Sequence, residues 1–422
     1  MRLDTFAKNN IIMFLANSIG SFFSLLYQLA MLRLVSRDIF ASLNSLLSLL
    51  VIISVPAAAF TTMVTKHVST HNARKNDQQL KALWQKLLFH AACFSIAVFS
   101  LIILFKDHIA GFLQIGSLDS ITLLAAIFFL SGITAVVSGG LQGLEKFKWL
   151  AVIGIGAGFL KLAFSIGLVR NFSDALGGAL FGFLLSILIA ILVSIWPLKL
   201  LLAGIAKEKI ALKQHYLYIL PVLAVSLSFA LLTNIDMVLI KHFFKIEAED
   251  YALAQMIGKI ILSISGMAYV VMFARVANLH AVKINSREIL KRSITFAFIL
   301  SFAAAALFNL FPRFIFHLLA GSVNEQVIML GRVFSISMLF YALSNVLWYY
   351  QLSIERYNFI KPLIALVILE ISAICLFHKT TLWVAGISTV FSLLIFIVNL
   401  RSAFKAAGSG LPSDRQSQRA AI

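Results

Sequence analysis

Five ionisable side chains lie within the long apolar stretches of this 422-residue chain, namely Lys161, Asp236, Lys259, Arg332 and Glu370. A charged group at the centre of a membrane helix costs about 2.5–3.5 kcal/mol on insertion scales, so each of the five requires a chemical reason. Three of them are cations and two are acids. Because Lys and Arg bind phosphate through charge-assisted hydrogen bonds, this balance predicts a polar path for a substrate that carries phosphate groups.

The three cations differ in how deeply they lie within their apolar stretches. Lys161 shares one helix face with Gly154 and Gly158, which predicts that it points to a packed or cavity-lining side. Lys259 lies about 12 Å along its predicted helix, too deep for its ammonium to reach water easily. Arg332 lies nearer an end, and its long side chain could instead extend to the outer interface.

The acids leave more than one interpretation open. Asp236 lies about one helical turn before Lys241, so it is compatible with a local ion pair and with a gate or coupling site. Glu370 lies in the middle of a predicted span, where it is compatible with ion coupling and with a protonated packing residue. The topology places Asp236 toward the outer end of one helix and Lys259 near the middle of the next. We therefore expect Asp236 and Lys259 to serve different sites.

The composition predicts the elements that must position these groups. Hydrophobic residues make up 61% of the chain, charged residues 12%, and the mean hydropathy is +0.96. Lipid offers the backbone no hydrogen-bond partner, so apolar stretches of this length must be helices. We predict an all-α integral membrane protein with about twelve transmembrane helices. They cover roughly residues 9–32, 39–64, 83–105, 120–141, 149–169, 176–198, 216–240, 251–274, 293–316, 326–350, 359–378 and 381–400.

Basic residues in the loops predict the orientation. With the N-terminus inside, the predicted inner segments hold about three times as many Lys and Arg residues as the outer ones, which places both termini in the cytoplasm. The net charge of +18 is spread over these short loops and forms no continuous face, which argues against nucleic acid as a partner. The large inner loop KHVSTHNARKNDQQLKALWQK is either a solvated anchor or a surface for anionic membrane lipids.

The chain divides near residue 207, where KEKIALK interrupts the apolar pattern. We predict an N-terminal six-helix bundle over roughly residues 1–206, a C-terminal six-helix bundle over roughly 207–401 and a cytoplasmic tail over roughly 402–422. Two halves of equal span number share one orientation and enclose a central cavity. Lys161 and Lys259 belong to different halves, so we expect them to act together across this cavity.

Several classes of protein are excluded by what the sequence lacks. It has no GxxxxGK[ST] phosphate loop, no HExxH motif and no large outer loop that could hold a catalytic site, so we expect neither an enzyme nor a cofactor or metal site. Cys93 and Cys375 fall within predicted spans, where we expect them to be packing residues. Glycine pairs four residues apart, at 139/143, 154/158 and 178/182, predict close helix contacts.

Two stretches carry a resemblance to a known family. They are LAMLRLVSRDIFASLNSLLSLLVIISVPAAAF near the start and TNIDMVLIKHFFKIEAEDYALAQMIGKI over the seventh and eighth predicted spans. In this pattern the chain resembles the oligosaccharide flippases of the multidrug/oligosaccharidyl-lipid/polysaccharide exporter superfamily, across nearly all of its length. The matching residues are Arg33, Asp38, Phe40, Asn234, Asp236, Tyr251, Ala254 and Lys259.

The resemblance implies a flippase that moves a polyprenyl-diphosphate-linked oligosaccharide from the inner to the outer leaflet of a bacterial cytoplasmic membrane by alternating access. Such a protein serves the synthesis of surface polysaccharides such as the O-antigen of lipopolysaccharide. It implies membrane lipids as partners and a proton or sodium ion as the coupling ion. A cation-coupled multidrug antiporter of the same superfamily is the alternative, and it would need acids in the cavity to bind a cationic drug.

The candidate site residues divide into two groups. We expect substrate binding at Lys161, Lys259, Arg332 and Arg33, and coupling or gating at Asp236, Glu370, Asn234 and Asp38.

Overall fold

The structure is a computed structural model that describes residues 3–73, 77–172, 174–202, 220–244, 246–265, 272, 276, 286–321 and 324–408. Within these ranges all regular secondary structure is α-helical, which confirms the predicted all-α class. The interruption near residue 207, part of the large inner loop and most of the predicted tail lie outside the described residues.

The described residues form fifteen helices. The first eight are α1 (Leu3–Leu34), α2 (Arg37–Ile53), α3 (Val55–Ala73), α4 (Asp77–Leu104), α5 (Lys106–Phe112), α6 (Leu118–Gly143), α7 (Phe147–Asn171) and α8 (Ala175–Leu202). The others are α9 (Leu220–Phe243), α10 (Ala248–Ser265), α11 (Arg287–Leu310), α12 (Pro312–Ala320), α13 (Glu325–Ser353), α14 (Ile360–Leu376) and α15 (Thr381–Gly408).

The helices coincide with the predicted spans. Nine helices of the described chain are long and apolar enough to cross a membrane, and the number is ten if α2 and α3, which are bent by 42° at their break, make one span. The bend follows from Pro56, which has no backbone N–H and leaves a gap in the helical hydrogen bonds next to Ser54. The two remaining predicted spans correspond to α14, which has only 17 residues, and in part to α10, which carries three charged side chains in 18 residues. Most of the predicted eighth span after residue 265 lies outside the described residues.

The predicted ninth span, at roughly residues 293–316, is wrong at its end. The helix α11 stops at Leu310, and the short helix α12 begins at Pro312, whose ring suits the first position of a new helix. Pro312 and Phe316 are buried, whereas Phe314 and Leu318 are exposed, so α12 is amphipathic. A short amphipathic helix after a span is suited to the boundary between lipid and water.

The chain forms two compact units. The first comprises the described residues within Met1–Leu223 and Ile240–Glu249, and the second those within Ala224–Leu239 and Asp250–Ile422. The arrangement of two six-helix bundles around a central cavity stays a prediction.

Small residues allow helices of the first unit to approach closely. An added Cβ at Gly139 or Gly143 of α6 would lie 2.8 Å or 2.6 Å from valine side chains of α3. At Gly182 of α8 it would lie 2.5 Å from the backbone nitrogen of Ser165 on α7. These predicted contacts are confirmed, whereas Gly154 was predicted wrongly, because an added Cβ there meets no described atom within 4 Å.

The cysteines do not pack in the interior. Cys93 on α4 and Cys375 on α14 are free thiols with exposed side chains, so the prediction that they are packing residues is wrong. Both lie on helix faces turned away from their unit, which the apolar pattern of a membrane helix cannot distinguish from the packed face.

We expect Gly182→Ala to lower the free energy of unfolding by about 1–3 kcal/mol, because the new methyl group meets the α7 backbone and overpacks the contact. Gly154→Ala is the matched control, and it should be neutral or stabilise by up to about 1 kcal/mol through helix propensity. The measurement is thermal unfolding of the purified variants in detergent. Equal shifts in both variants would contradict the importance of the contact.

Candidate functional site

Asp236 lies in the second unit with its carboxyl group fully enclosed by protein. Its side chain on α9 is 2% exposed. The Tyr251 hydroxyl donates to Oδ2 at 3.0 Å, and Gln255 Nε2 lies 2.9 Å from Oδ1 and 3.1 Å from Oδ2. Tyr251 and Gln255 are one helical turn apart on α10, so this helix presents both donors to the same carboxyl group. Asp236 therefore has its own hydrogen-bond donors.

Lys259 follows Gln255 by one further turn on α10, and its side chain is half-buried. Its ammonium group and the Asp236 carboxyl attract each other electrostatically. The expectation that Asp236 and Lys259 serve different sites stays a prediction.

Glu370 is the second enclosed acid of this unit. It lies on α14 and is 1% exposed. The hydroxyl of Tyr341, on α13, lies 2.8 Å and 2.9 Å from its two carboxyl oxygens and 3.3 Å from the carbonyl oxygen of Ser388 on α15. The unit thus holds two buried acids, each with a tyrosine donor.

Asn234 does not join this group. Its Nδ2 donates to the carbonyl oxygen of Ala230 and to the hydroxyl of Thr233, both on its own helix, at 3.0 Å. Sequence reasoning also missed Gln255 and Tyr341 as partners of the acids. For Gln255 a signal existed, since it lies one turn after Tyr251, which the resemblance had marked. For Tyr341 the sequence shows no spacing that links it to Glu370.

Lys161 lies in the first unit between two aromatic rings. Its Nζ is 4.0 Å from the ring centroid of Tyr27, on α1, and 4.1 Å from that of Phe183, on α8. Such contacts stabilise a desolvated cation through the negative face of each ring. The direction predicted from Gly154 and Gly158 is supported in that the half-buried Lys161 points to packed helices, with its ammonium group beside rings from two of them.

Asp38 and Lys241 form an ion pair within the first unit. Lys241 Nζ lies 2.7 Å from Asp38 Oδ1, and the side chain of Lys241 is 0% exposed whereas that of Asp38 is 56% exposed. The possible local pair between Asp236 and Lys241 is therefore absent from the described structure.

Arg33, in the last turn of α1, is exposed. Nearby, Gln114 Nε2 donates to the carbonyl oxygen of His242 at 2.6 Å.

Arg332 is exposed at the surface of the second unit, in a cleft with Arg313 and Glu325. Unlike Asp236, Arg332 is therefore not enclosed by protein. Among the described residues no group of three or more His, Cys, Asp or Glu side chains could hold a metal ion. What the enclosed groups can do chemically is bind anions at the lysines and exchange a proton or a small cation at the acids.

Comparison with known proteins now decides the family. The sequence model of a family described as polysaccharide biosynthesis protein matches residues 6–280, well over half of the chain. The chain belongs to this polysaccharide biosynthesis family. Among proteins with curated descriptions, none matches the sequence.

Solved structures share the fold of this family member at low sequence identity. An inward-facing multidrug resistance transporter of the MATE family, in the MOP superfamily, matches with a TM-score of 0.75 and 13% identity over 93% of this chain and 96% of that one. An outward-facing MATE transporter gives 0.67 and 14% over 95% and 96%. A MOP transporter from Pyrococcus furiosus, described as having a binding pocket of reverse polarity that suggests a different function, gives 0.61 and 15% over 95% and 96%. The multi-pass membrane fold is confirmed, and the family match confirms the resemblance to proteins of polysaccharide biosynthesis.

We expect Tyr341→Phe to destabilise the protein by about 1–3 kcal/mol, because the enclosed Glu370 carboxyl loses a hydrogen-bond donor. The measurement is again thermal unfolding in detergent. In a protein that already carries Glu370→Leu, Tyr341→Phe should destabilise less, because the carboxyl group that accepts the hydrogen bond is already absent. The effects of the two substitutions are then not additive. Strict additivity of the two substitutions would show that the hydrogen bond contributes nothing.

Proposed function

We propose that the protein is a flippase that moves a polyprenyl-diphosphate-linked oligosaccharide from the inner to the outer leaflet of the bacterial cytoplasmic membrane, for surface polysaccharide synthesis. Membership of the polysaccharide biosynthesis family supports the pathway, and the MOP transporter fold supports transport. The observation that carries the substrate class is the placement of Lys161 and Lys259 inside membrane helices of such a protein.

The physical argument starts from the diphosphate. A doubly charged group cannot enter hydrocarbon without a compensating charge, whereas the polyprenyl tail can stay in lipid throughout. Lys161 offers a cation that two aromatic rings already stabilise without water. Lys259 offers a second cation beside an acid that has its own hydrogen-bond donors. A diphosphate can therefore attract Lys259 without leaving Asp236 unsolvated.

Alternating access then requires the two six-helix bundles, at roughly residues 1–206 and 207–401, to expose a shared cavity to either side in turn. In this proposal Arg33 contributes to diphosphate binding near the end of α1, and both termini and the tail from about residue 402 face the cytoplasm. Asp38, through its ion pair with the fully buried Lys241, acts in gating, and Asn234 stiffens the helix that carries Asp236.

Ion coupling is assigned to the buried acids. Both acids are enclosed in the same unit, so a proton or sodium ion that binds either carboxylate lowers the energetic cost of keeping its charge away from water. The tyrosine donors keep each carboxyl in place when the ion is absent. Binding and release of the ion would thus change the relative populations of the two states of the transporter, which is what ion coupling requires.

A cation-coupled multidrug antiporter is the second candidate, and the same two acids favour it. The MATE structures that share this fold are described as multidrug transporters. In the Pyrococcus furiosus relative, a pocket of reverse polarity is described as suggesting a different function, so charge within this fold is the discriminating feature. Here each proposed half contributes a half-buried lysine on a membrane helix, which favours an anionic substrate over a cationic drug.

We expect Lys161→Gln and Lys259→Gln each to lower the delivery of lipid-linked oligosaccharide to the outer leaflet by about 10- to 100-fold, because each removes a charge-assisted hydrogen bond of about 1.5–3 kcal/mol. Delivery is measured in vesicles that contain the purified protein. Lys361→Gln is the control, since Lys361 is exposed near the start of α14, and it should leave delivery unchanged. Unchanged delivery in both lysine variants would refute the substrate assignment.

We expect Asp236→Asn and Glu370→Gln to abolish the dependence of delivery on a proton or sodium gradient, while binding of the lipid-linked oligosaccharide is retained. Each change removes the negative charge but keeps the size and much of the hydrogen bonding. Delivery is compared with and without each gradient. Efflux of cationic drugs that depends on these two acids, with no defect in surface polysaccharide, would instead establish the antiporter.

A further inference from the structure

A surface cleft of about 410 Å³ lies beside α12 in the second unit. Two arginines and one carboxylate line it. Arg313 Nη2 forms an ion pair with Glu325 Oε1 at 2.5 Å. Arg332 lies two turns after Glu325 on α13, which places the two side chains on one helix face toward the cleft.

The charges of this cleft are not balanced. The pair of Arg313 and Glu325 is neutral and highly exposed, with side chains 80% and 72% accessible. Within the described ranges no carboxylate forms an ion pair with Arg332, whose side chain is also exposed. The cleft therefore carries an excess of one positive charge, and Arg332 can offer a planar pair of donors to an anion.

Large apolar side chains surround the charged part of the cleft. Leu310 is 72% exposed, Phe314 69% and Phe311 56%, and all three contribute to the cleft wall. In a membrane protein such side chains face lipid. They lie where α11 ends and the amphipathic α12 begins, at the predicted outer boundary of the membrane. Arginines beside apolar side chains at this depth lie at the level of lipid headgroups.

We propose that this cleft binds the phosphate of an anionic phospholipid of the outer leaflet, of the phosphatidylglycerol type. Arg332 and Arg313 hold the phosphate, and the acyl chains lie on Leu310 and Phe314. One excess positive charge matches the single negative charge of a phosphodiester. A free phosphate ion would leave the apolar wall without a partner, and a lipid diphosphate would bring more negative charge than the cleft offsets. The proposal goes beyond the transport function and does not depend on it.

The first test is a titration of the purified full chain in detergent, followed by native mass spectrometry. Phosphatidylglycerol and phosphatidylcholine with identical acyl chains are the probes. We expect tighter binding of phosphatidylglycerol. Arg332→Gln should weaken it about fivefold, the usual contribution of one basic residue at an anionic lipid surface, and leave phosphatidylcholine binding unchanged. An unchanged affinity for phosphatidylglycerol in this variant would overturn the proposal.

A second variant should strengthen the binding of phosphatidylglycerol instead of weakening it. Glu325→Gln removes the carboxylate that competes for Arg313, so phosphatidylglycerol should bind more tightly. Arg292→Gln is the matched control, because Arg292 pairs with Glu288 at 2.6 Å and both side chains are similarly exposed, at 79% and 73%. It should have no effect. Weaker binding in Glu325→Gln, or equal losses in the two arginine variants, would overturn the site.

Competition identifies the source of the phosphate. Inorganic phosphate and undecaprenyl diphosphate are added to the complex with phosphatidylglycerol. Retention of phosphatidylglycerol against an equal concentration of either competitor supports the proposal. Displacement by inorganic phosphate would show a simple anion site, and displacement by undecaprenyl diphosphate would show a site for the transported lipid. Either displacement overturns the assignment to a phospholipid.

Discussion

A charged side chain that enters apolar surroundings must exchange water for a partner within the protein, and the described helices are arranged around this constraint. The solution differs with the sign of the charge. Asp236 and Glu370 accept hydrogen bonds from tyrosine hydroxyls, whereas Lys161 lies between aromatic rings and Lys241 pairs with a carboxylate. In each case the partner comes from another helix. The charged groups therefore specify which helices meet and at which turn.

In each compact unit, a charged side chain brings three helices together. The carboxyl of Glu370 brings α13, α14 and α15 to one point, because its tyrosine donor is also near a carbonyl oxygen of the third helix. Lys161 does the same for α1, α7 and α8. Between apolar helices in lipid, packing alone distinguishes one arrangement from another only weakly, so a satisfied polar contact adds specificity. Residues proposed for transport thus also have structural roles, and their substitution affects both.

The sequence predicted the helical fold well because lipid offers the backbone no hydrogen-bond partner, so long apolar segments in a membrane must form helices. Among the described residues, apolar length located nine helices that can cross the membrane, and the predicted ninth span was wrong where Pro312 begins a new helix. The site was harder to predict. The sequence identified the enclosed ions, but it could not identify their partners, because Tyr341 and Glu370 are joined only by tertiary packing. The depth of Asp236 and Lys259 along separate helices did not show that their charges attract each other, and Arg332 could not be distinguished from an enclosed cation.

The two cysteines offer an experimental opportunity that their chemistry alone does not suggest. The chain has only two, and each compact unit carries one as an exposed free thiol, Cys93 in the first and Cys375 in the second. A pair of spectroscopic labels can therefore be attached to the natural sequence without introducing a single new residue. Since both thiols lie on membrane helices, the reagents must be able to partition into lipid. The separation between the labels would then report on the proposed transport cycle of the unaltered protein.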